Sequence, residues 1–115
     1  MKTMKRMKNN CYDNVNIDLR LEKIANWHYE RNLIDGSTDQ AQFVKLIEEA
    51  GELAGNLARK NKKAIKDDIG DMIVVLMNIA ERNELSIKEC VEQAWNDIKD
   101  RKGKMIDGVF VKDAE

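Results

Sequence analysis

A chain of 115 residues has room for one domain with one hydrophobic core, which excludes a multidomain assembly of activities. Charged residues make up 36% of it, against about 25% in an average domain, yet the 20 Lys+Arg and 21 Asp+Glu nearly cancel. That balance argues against nucleic acid held by bulk charge, and no apolar run is long enough for a signal-peptide core or a membrane span, so a cytoplasmic protein without membrane contact is expected.

Proline is absent, where average usage is about 5%, and this favours long uninterrupted helices. Residues 1–13 read as a basic arm, with Lys2, Lys5, Arg6 and Lys8 and no acid among the first ten. From about Val15, the apolar stripe Ile17, Leu21, Ile24 and His28, with Trp27 beside it, predicts a first helix that stops in Asn32–Gly36. Ser37 stands three before Gln40, a capping-box spacing that predicts a second helix to about Lys60 with Phe43, Leu46, Ala50, Leu53 and Leu57 on its apolar stripe. After a basic turn at Asn61, Lys62 and Lys63, the residues Ile65, Ile69, Met72, Leu76 and Ile79 repeat at helical spacing. Ser86 and Glu89 form a second capping box, opening a fourth helix through Val91, Ala94, Trp95 and Ile98, which Gly103 should end near Lys102. The tail from 105 to 115 is too short to fold alone and should pack on the bundle or on another subunit. The expected architecture is all-α, a single four-helix bundle domain over 14–104 that oligomerises through its helix faces. Cys11 and Cys90 have no metal-binding spacing and read as free thiols.

The chemistry concentrates in two acidic stretches, Glu48-Glu49-Ala50-Gly51-Glu52 and Asp67-Asp68-Ile69-Gly70-Asp71. Pairs at i, i+3 place Glu49 with Glu52, and Asp68 with Asp71, on one face of each helix. With antiparallel helices about a turn centred between Asn61 and Lys62, Glu52 lies level with Asp71 and the four carboxylates converge. The third helix is apolar nearly all round, which predicts its burial, and buried carboxylates must be paired, protonated or bound to metal. Lys45 can neutralise only one of them. Clustered hard oxygen ligands without histidine or thiolate select Mg²⁺ or Mn²⁺, and the single histidine, His28, reads as a core residue. Gly51, Gly55 and Gly70 inside helices read as devices for close helix packing.

Lys45-Leu46-Ile47-Glu48-Glu49-Ala50-Gly51-Glu52-Leu53, then Asp68-Ile69-Gly70-Asp71, then Arg101-Lys102-Gly103-Lys104 together resemble the MazG-like nucleotide pyrophosphohydrolases over residues 24–112. The family signature is E-E-x-x-E followed by E-x-x-D, and Asp68 stands where glutamate is usual. The resemblance implies an all-α enzyme that splits a nucleoside triphosphate between its α and β phosphates into monophosphate and pyrophosphate. It implies Mg²⁺ as cofactor, with Mn²⁺ a possible substitute, held by Glu49, Glu52, Asp68 and Asp71. Glu48 would orient or deprotonate the attacking water, Lys45, Asn96, Lys99 and Arg101 would contact phosphates, and Trp27 would stack on the base. Dimers or tetramers with sites completed by neighbouring helices are implied as well. The alternatives are a helical interaction module without catalysis, a Mg²⁺-dependent hydrolase of a different phosphate compound, and a nucleotide-binding regulator with little turnover.

Overall fold

The computed structural model describes residues 14–114, so the expected amino-terminal arm and Cys11 lie outside the described residues. The elements run α1 (Ile17–Glu30), α2 (Asp39–Ala58), α3 (Lys62–Arg82), α4 (Ile87–Ile98), β1 (Gly103–Ile106) and β2 (Val109–Lys112). Each helix begins at a short polar side chain that accepts from a backbone N–H three residues on. Asn16 accepts from Leu19 at 3.1 Å, Thr38 from Ala41 at 3.1 Å, and Asn61 from Ala64 at 3.2 Å. Ser86 and Glu89 make the expected reciprocal box, with bonds of 3.2 and 2.7 Å. The expected box at Ser37 and Gln40 does not form. Thr38 caps α2 instead, one residue later, and the Ser37 hydroxyl accepts from the Gln42 amide at 3.0 Å.

The first three helices close alike. Asn32, Lys60 and Glu84 take left-handed φ values of 55°, 54° and 59°, and the next residue's N–H returns to the carbonyl of His28, Asn56 or Ala80. None of the three is glycine, although a left-handed conformation costs an L-residue roughly 1–2 kcal/mol. Gly103 does not end α4, which stops at Ile98; it opens β1, where the Phe110 ring and the Val111 carbonyl approach too closely for a side chain.

The carboxy-terminal segment corrects a purely helical reading. It pairs with itself rather than packing on the helices: β1 and β2 are antiparallel with Ile106 opposite Val109, leaving Asp107 and Gly108 as a two-residue turn with φ 51° and 81°. Every strand residue is exposed. The domain end expected at 104 therefore falls inside a strand.

The centre of the fold is the antiparallel pair α2 and α3, joined through Arg59, Lys60 and Asn61, with α1 and α4 both leaning on α3. Among the described residues, Ile34, Val75, Met77 and Ala80 are the buried apolar side chains, and His28, Glu49, Asp68 and Asn78 the buried polar ones. α3 is thus rotated from its expected stripe: Ile69 and Leu76 are exposed, while Asp68, Val75 and Asn78 face inward. The expectation that α3 is buried all round fails within one chain, because Ile73 on the same outer side is exposed too. Gly51 and Gly70 do not serve close packing here, since a Cβ at either would meet nothing within 4 Å.

His28 is the satisfied core residue its position suggested. Its Nε2–H donates to the Val74 carbonyl at 3.0 Å, and its Nδ1 accepts from Asn78 Nδ2 at 3.3 Å. Asn78 also donates to the Leu33 carbonyl at 3.0 Å, which ties the α1–α2 connection to α3. Arg82 extends that tie. Its guanidinium donates to the Ile34 and Ser37 carbonyls and pairs with Asp39 at 2.9 Å. Arg82→Met strands those acceptors and should lower stability by about 2–4 kcal/mol. The expected readout is a lower urea midpoint with an unchanged slope, and Arg82→Lys should recover less than half, because one ammonium cannot serve three partners fixed by a planar fork.

Candidate metal centre

The seam between α2 and α3 gathers carboxylates from both helices. One oxygen each from Glu49, Asp68 and Asp71 lies within 4.8 Å of the others. Glu49 is 6% and Asp68 4% exposed, whereas Asp71 is partly open to solvent. The turn sets the levels, Glu49 with Asp71 and Glu52 with Asp68, and burial of Glu49 against exposure of Glu52 sets the membership. With α2 ending at Ala58 and α3 starting at Lys62, the turn is centred on Lys60, earlier than expected, and this brings Glu49 rather than Glu52 level with Asp71. Glu52 is exposed and stands at the border of the cluster rather than within it.

Partners are unevenly shared. Glu49 Oε1 pairs with Lys45 Nζ at 3.3 Å, while Glu49 Oε2 is buried without a hydrogen-bond partner. Lys45 also reaches Glu48 Oε2, at 3.9 Å. Asn56 Nδ2 donates to Asp68 Oδ2 at 2.7 Å. The Glu49 charge, burial and the Asp68 charge hold the Glu52 carboxyl above its ordinary pKa. Burial, then the charges of Asp67, Glu49 and Asp68, raise that of Asp71. The hydrogen bond and the charge of Glu49 raise Lys45. An orphaned carboxylate oxygen beside two further carboxylates, all hard oxygen donors, fits a divalent cation of the Mg²⁺ or Mn²⁺ type. A cleft of about 600 Å³ opens beside Asp71, lined by Asn61, Lys63, Lys66, Asp67 and Gly70.

The model of the MazG nucleotide pyrophosphohydrolase domain matches residues 37–106, which contain the whole acidic seam. The chain belongs to the MazG nucleotide pyrophosphohydrolase domain family. A relative from Haemophilus phage HP1 (strain HP1c1), named as an uncharacterized 18.2 kDa protein in the rep-hol intergenic region, is 43% identical over 65 residues. The matched stretch is 56% of this chain and spans 40% of that relative's length. No solved structure matches.

Set on this MazG domain, the residues expected from sequence divide. Lys45, Glu48, Glu49, Asp68 and Asp71 come together, with Glu52 adjoining. Asn96 lies on α4 and Lys99 caps it, while Arg101 shares a cleft with Lys102, Lys112, Asp97, Asp100 and Asp113, away from the acidic seam and balanced in charge. Trp27 on α1 is exposed, its described ring contacts being the edge of His28 at 5.2 Å between centroids and the Arg31 guanidinium 4.6 Å over the ring. Sequence alone gave no part to Asn56, one turn after Glu52, and did not set Lys63, Asp67 and Gly70 together as an exposed stripe of α3 beside the cluster. Asn56 and Asp67 each stand four residues from an acid of the motifs, Glu52 and Asp71, and Lys63, Asp67 and Gly70 follow one another at spacings of four and three; these were the available signal.

The raised carboxyls fix the sign of a linkage. A folded state that holds protons more tightly than the unfolded chain loses stability as pH climbs through the raised values. In chelator-treated buffer, the melting temperature should fall as pH rises above the ordinary carboxylate range. Asp71→Asn should flatten that fall and melt a few degrees higher near neutral pH. Millimolar Mg²⁺ should raise the wild type and leave Asp71→Asn nearly unmoved, both readable by differential scanning fluorimetry.

Proposed function

We propose that this chain is a divalent-metal-dependent nucleoside triphosphate pyrophosphohydrolase, releasing a nucleoside monophosphate and pyrophosphate. The observation that carries the reading is the partnerless, buried Oε2 of Glu49, a carboxylate clustered with those of Asp68 and Asp71, inside a matched MazG domain. Glu49, Asp68 and Asp71 would hold Mg²⁺ or Mn²⁺, with Glu52 completing the set. When bound, the cation neutralises phosphate charge and acidifies water. Glu48, exposed and loosely paired with Lys45, would take the proton of the attacking water. The water oxygen joins the α-phosphorus, the bond to the bridging α–β oxygen breaks, and pyrophosphate leaves. Lys45 screens the negative charge that Glu48 and Glu49 present to an approaching anion.

The cleft beside Asp71 is the route we assign to the triphosphate. Lys63 lines it, and Gly70 lacks a side chain where one would project into open space. Asn96, Lys99, Arg101 and Trp27 would reach this substrate from a second copy of the chain. Self-association as a dimer or tetramer is supported by the apolar residues that one chain leaves uncovered, among them Phe43, Ile47, Ile73, Trp95 and Phe110. The Cα radius of gyration of 16.9 Å, against about 13 Å for a compact chain of roughly 100 residues, points the same way. Among the described residues, no helix is long and apolar enough to cross a membrane.

Purified protein with Mg²⁺ and a panel of ribo- and deoxyribonucleoside triphosphates should yield pyrophosphate and a monophosphate. Orthophosphate as the product, or silence across the panel, would overturn the assignment. Glu49→Gln and Asp71→Asn should each cut kcat/KM about 100-fold or more. Gly70→Ala separates cleft from fold: it should stabilise α3 by up to about 1 kcal/mol in thermal unfolding, while KM for the triphosphate rises.

A further inference from the structure

Asn56 makes a hydrogen bond that the cleavage step itself does not use. Its Nδ2–H donates to Asp68 Oδ2 at 2.7 Å, at the short end for an amide donating to a carboxylate. Asp68 is buried and Asn56 half-buried, so water competes weakly for the contact. The bond commits Oδ2 to the protein, sets the plane of the carboxylate, and leaves Oδ1 as the oxygen a cation can take. Glu49 is treated the same way by a different residue. Lys45 holds its Oε1, and its Oε2 is offered with no partner. Each buried carboxylate of the cluster thus has one oxygen held by a side chain of α2. A further methylene at position 68 would drive the carboxylate into Asn56.

We propose that Asn56 is the positioning residue of this centre, orienting Asp68 toward a divalent cation and making aspartate the side-chain length that fits position 68. The proposal rests on the metal reading given above and is independent of which phosphate bond is cut.

Mn²⁺ binding to the full chain without nucleotide, followed by the electron paramagnetic resonance of free Mn²⁺ and by calorimetry, tests it. Asn56→Ala should weaken Mn²⁺ binding about 10- to 100-fold with its helical circular dichroism intact. Asp68→Glu alone should also weaken binding, because Asn56 blocks the longer side chain. The double variant Asn56→Ala/Asp68→Glu should recover most of the affinity, which a purely structural role for Asn56 does not predict. Unchanged affinity in Asn56→Ala, or a double variant no better than Asn56→Ala, overturns the proposal. If Asn56→Ala does not fold, the wild type still decides. The Asn56 side-chain amide resonances should shift on Mg²⁺ titration and stay slow to exchange with solvent, and resonances that do not move overturn it. A wild type that binds no Mn²⁺ removes the metal reading and this proposal together. One that binds Mn²⁺ but forms no pyrophosphate removes only the assigned reaction.

Discussion

The fold turns on one constraint, which is that two carboxylates lie buried where α2 meets α3. Glu49 and Asp68 occupy inward positions that in an ordinary helical hairpin would go to leucine or valine. Burying them costs several kcal/mol apiece unless the charge is compensated, and within the chain the compensation is partial: one lysine for Glu49, one amide for Asp68. The rest of the inward surface is mixed: His28 and Asn78 bridge α1 to α3 a few turns away along the same helix, among the buried Ile34, Val75, Met77 and Ala80. The apolar share of the interior is correspondingly small. A helical hairpin built this way is held in register by directional bonds as well as by packing.

Its outside is apolar to match. Ile69, Ile73 and Leu76 on α3, with Phe43 and Ile47 on α2, form the side of the hairpin that the chain itself does not cover. The hairpin strands and α4 likewise leave Val91, Trp95, Ile98, Phe110 and Val111 exposed. The buried polar groups and the apolar outside are two consequences of one arrangement, since Asp68 and Asn78 share the inward face of α3 with Val75, Met77 and Ala80 while Ile69, Ile73 and Leu76 are left outside. The second copy we assign to the outer face would then supply the apolar core that the cluster displaces from the chain's own interior.

Much of this was legible in the residues. The acidic pairs, the helix count, the core role of His28 and the Ser86 box all followed from spacing, because capping and i, i+3 geometry are local. The carboxy-terminal hairpin was also written there, in Asp107-Gly108 between Met105-Ile106 and Val109-Phe110-Val111, a two-residue turn signal overlooked because the segment is short. The rotation of α3 was not legible. Period counting marks the apolar stripe and assumes that it faces inward, and only the partner helix decides whether the polar side is buried instead. The capping shift from Ser37 to Thr38 was a choice between two adjacent good caps, settled by Arg82 gripping the carbonyls of Ile34 and Ser37.

The register of the cluster reduces to a single residue with no sequence signature. Lys60 takes the left-handed conformation that glycine or asparagine would adopt more cheaply, and the chain turns there instead of one or two residues later, where Asn61 and the lysines suggested. Turning at Lys60 frees Asn61 to cap α3, seats Glu49 rather than Glu52 level with Asp71, and leaves Asn56 in the last turns of α2 within reach of Asp68. A turn one residue longer would rotate α3 by about 100° against α2 and carry Asp68 and Asp71 away from Glu49. The strain of one lysine backbone is small beside the cost of separating those groups, so a locally unfavourable turn is retained for the sake of which oxygens it brings together.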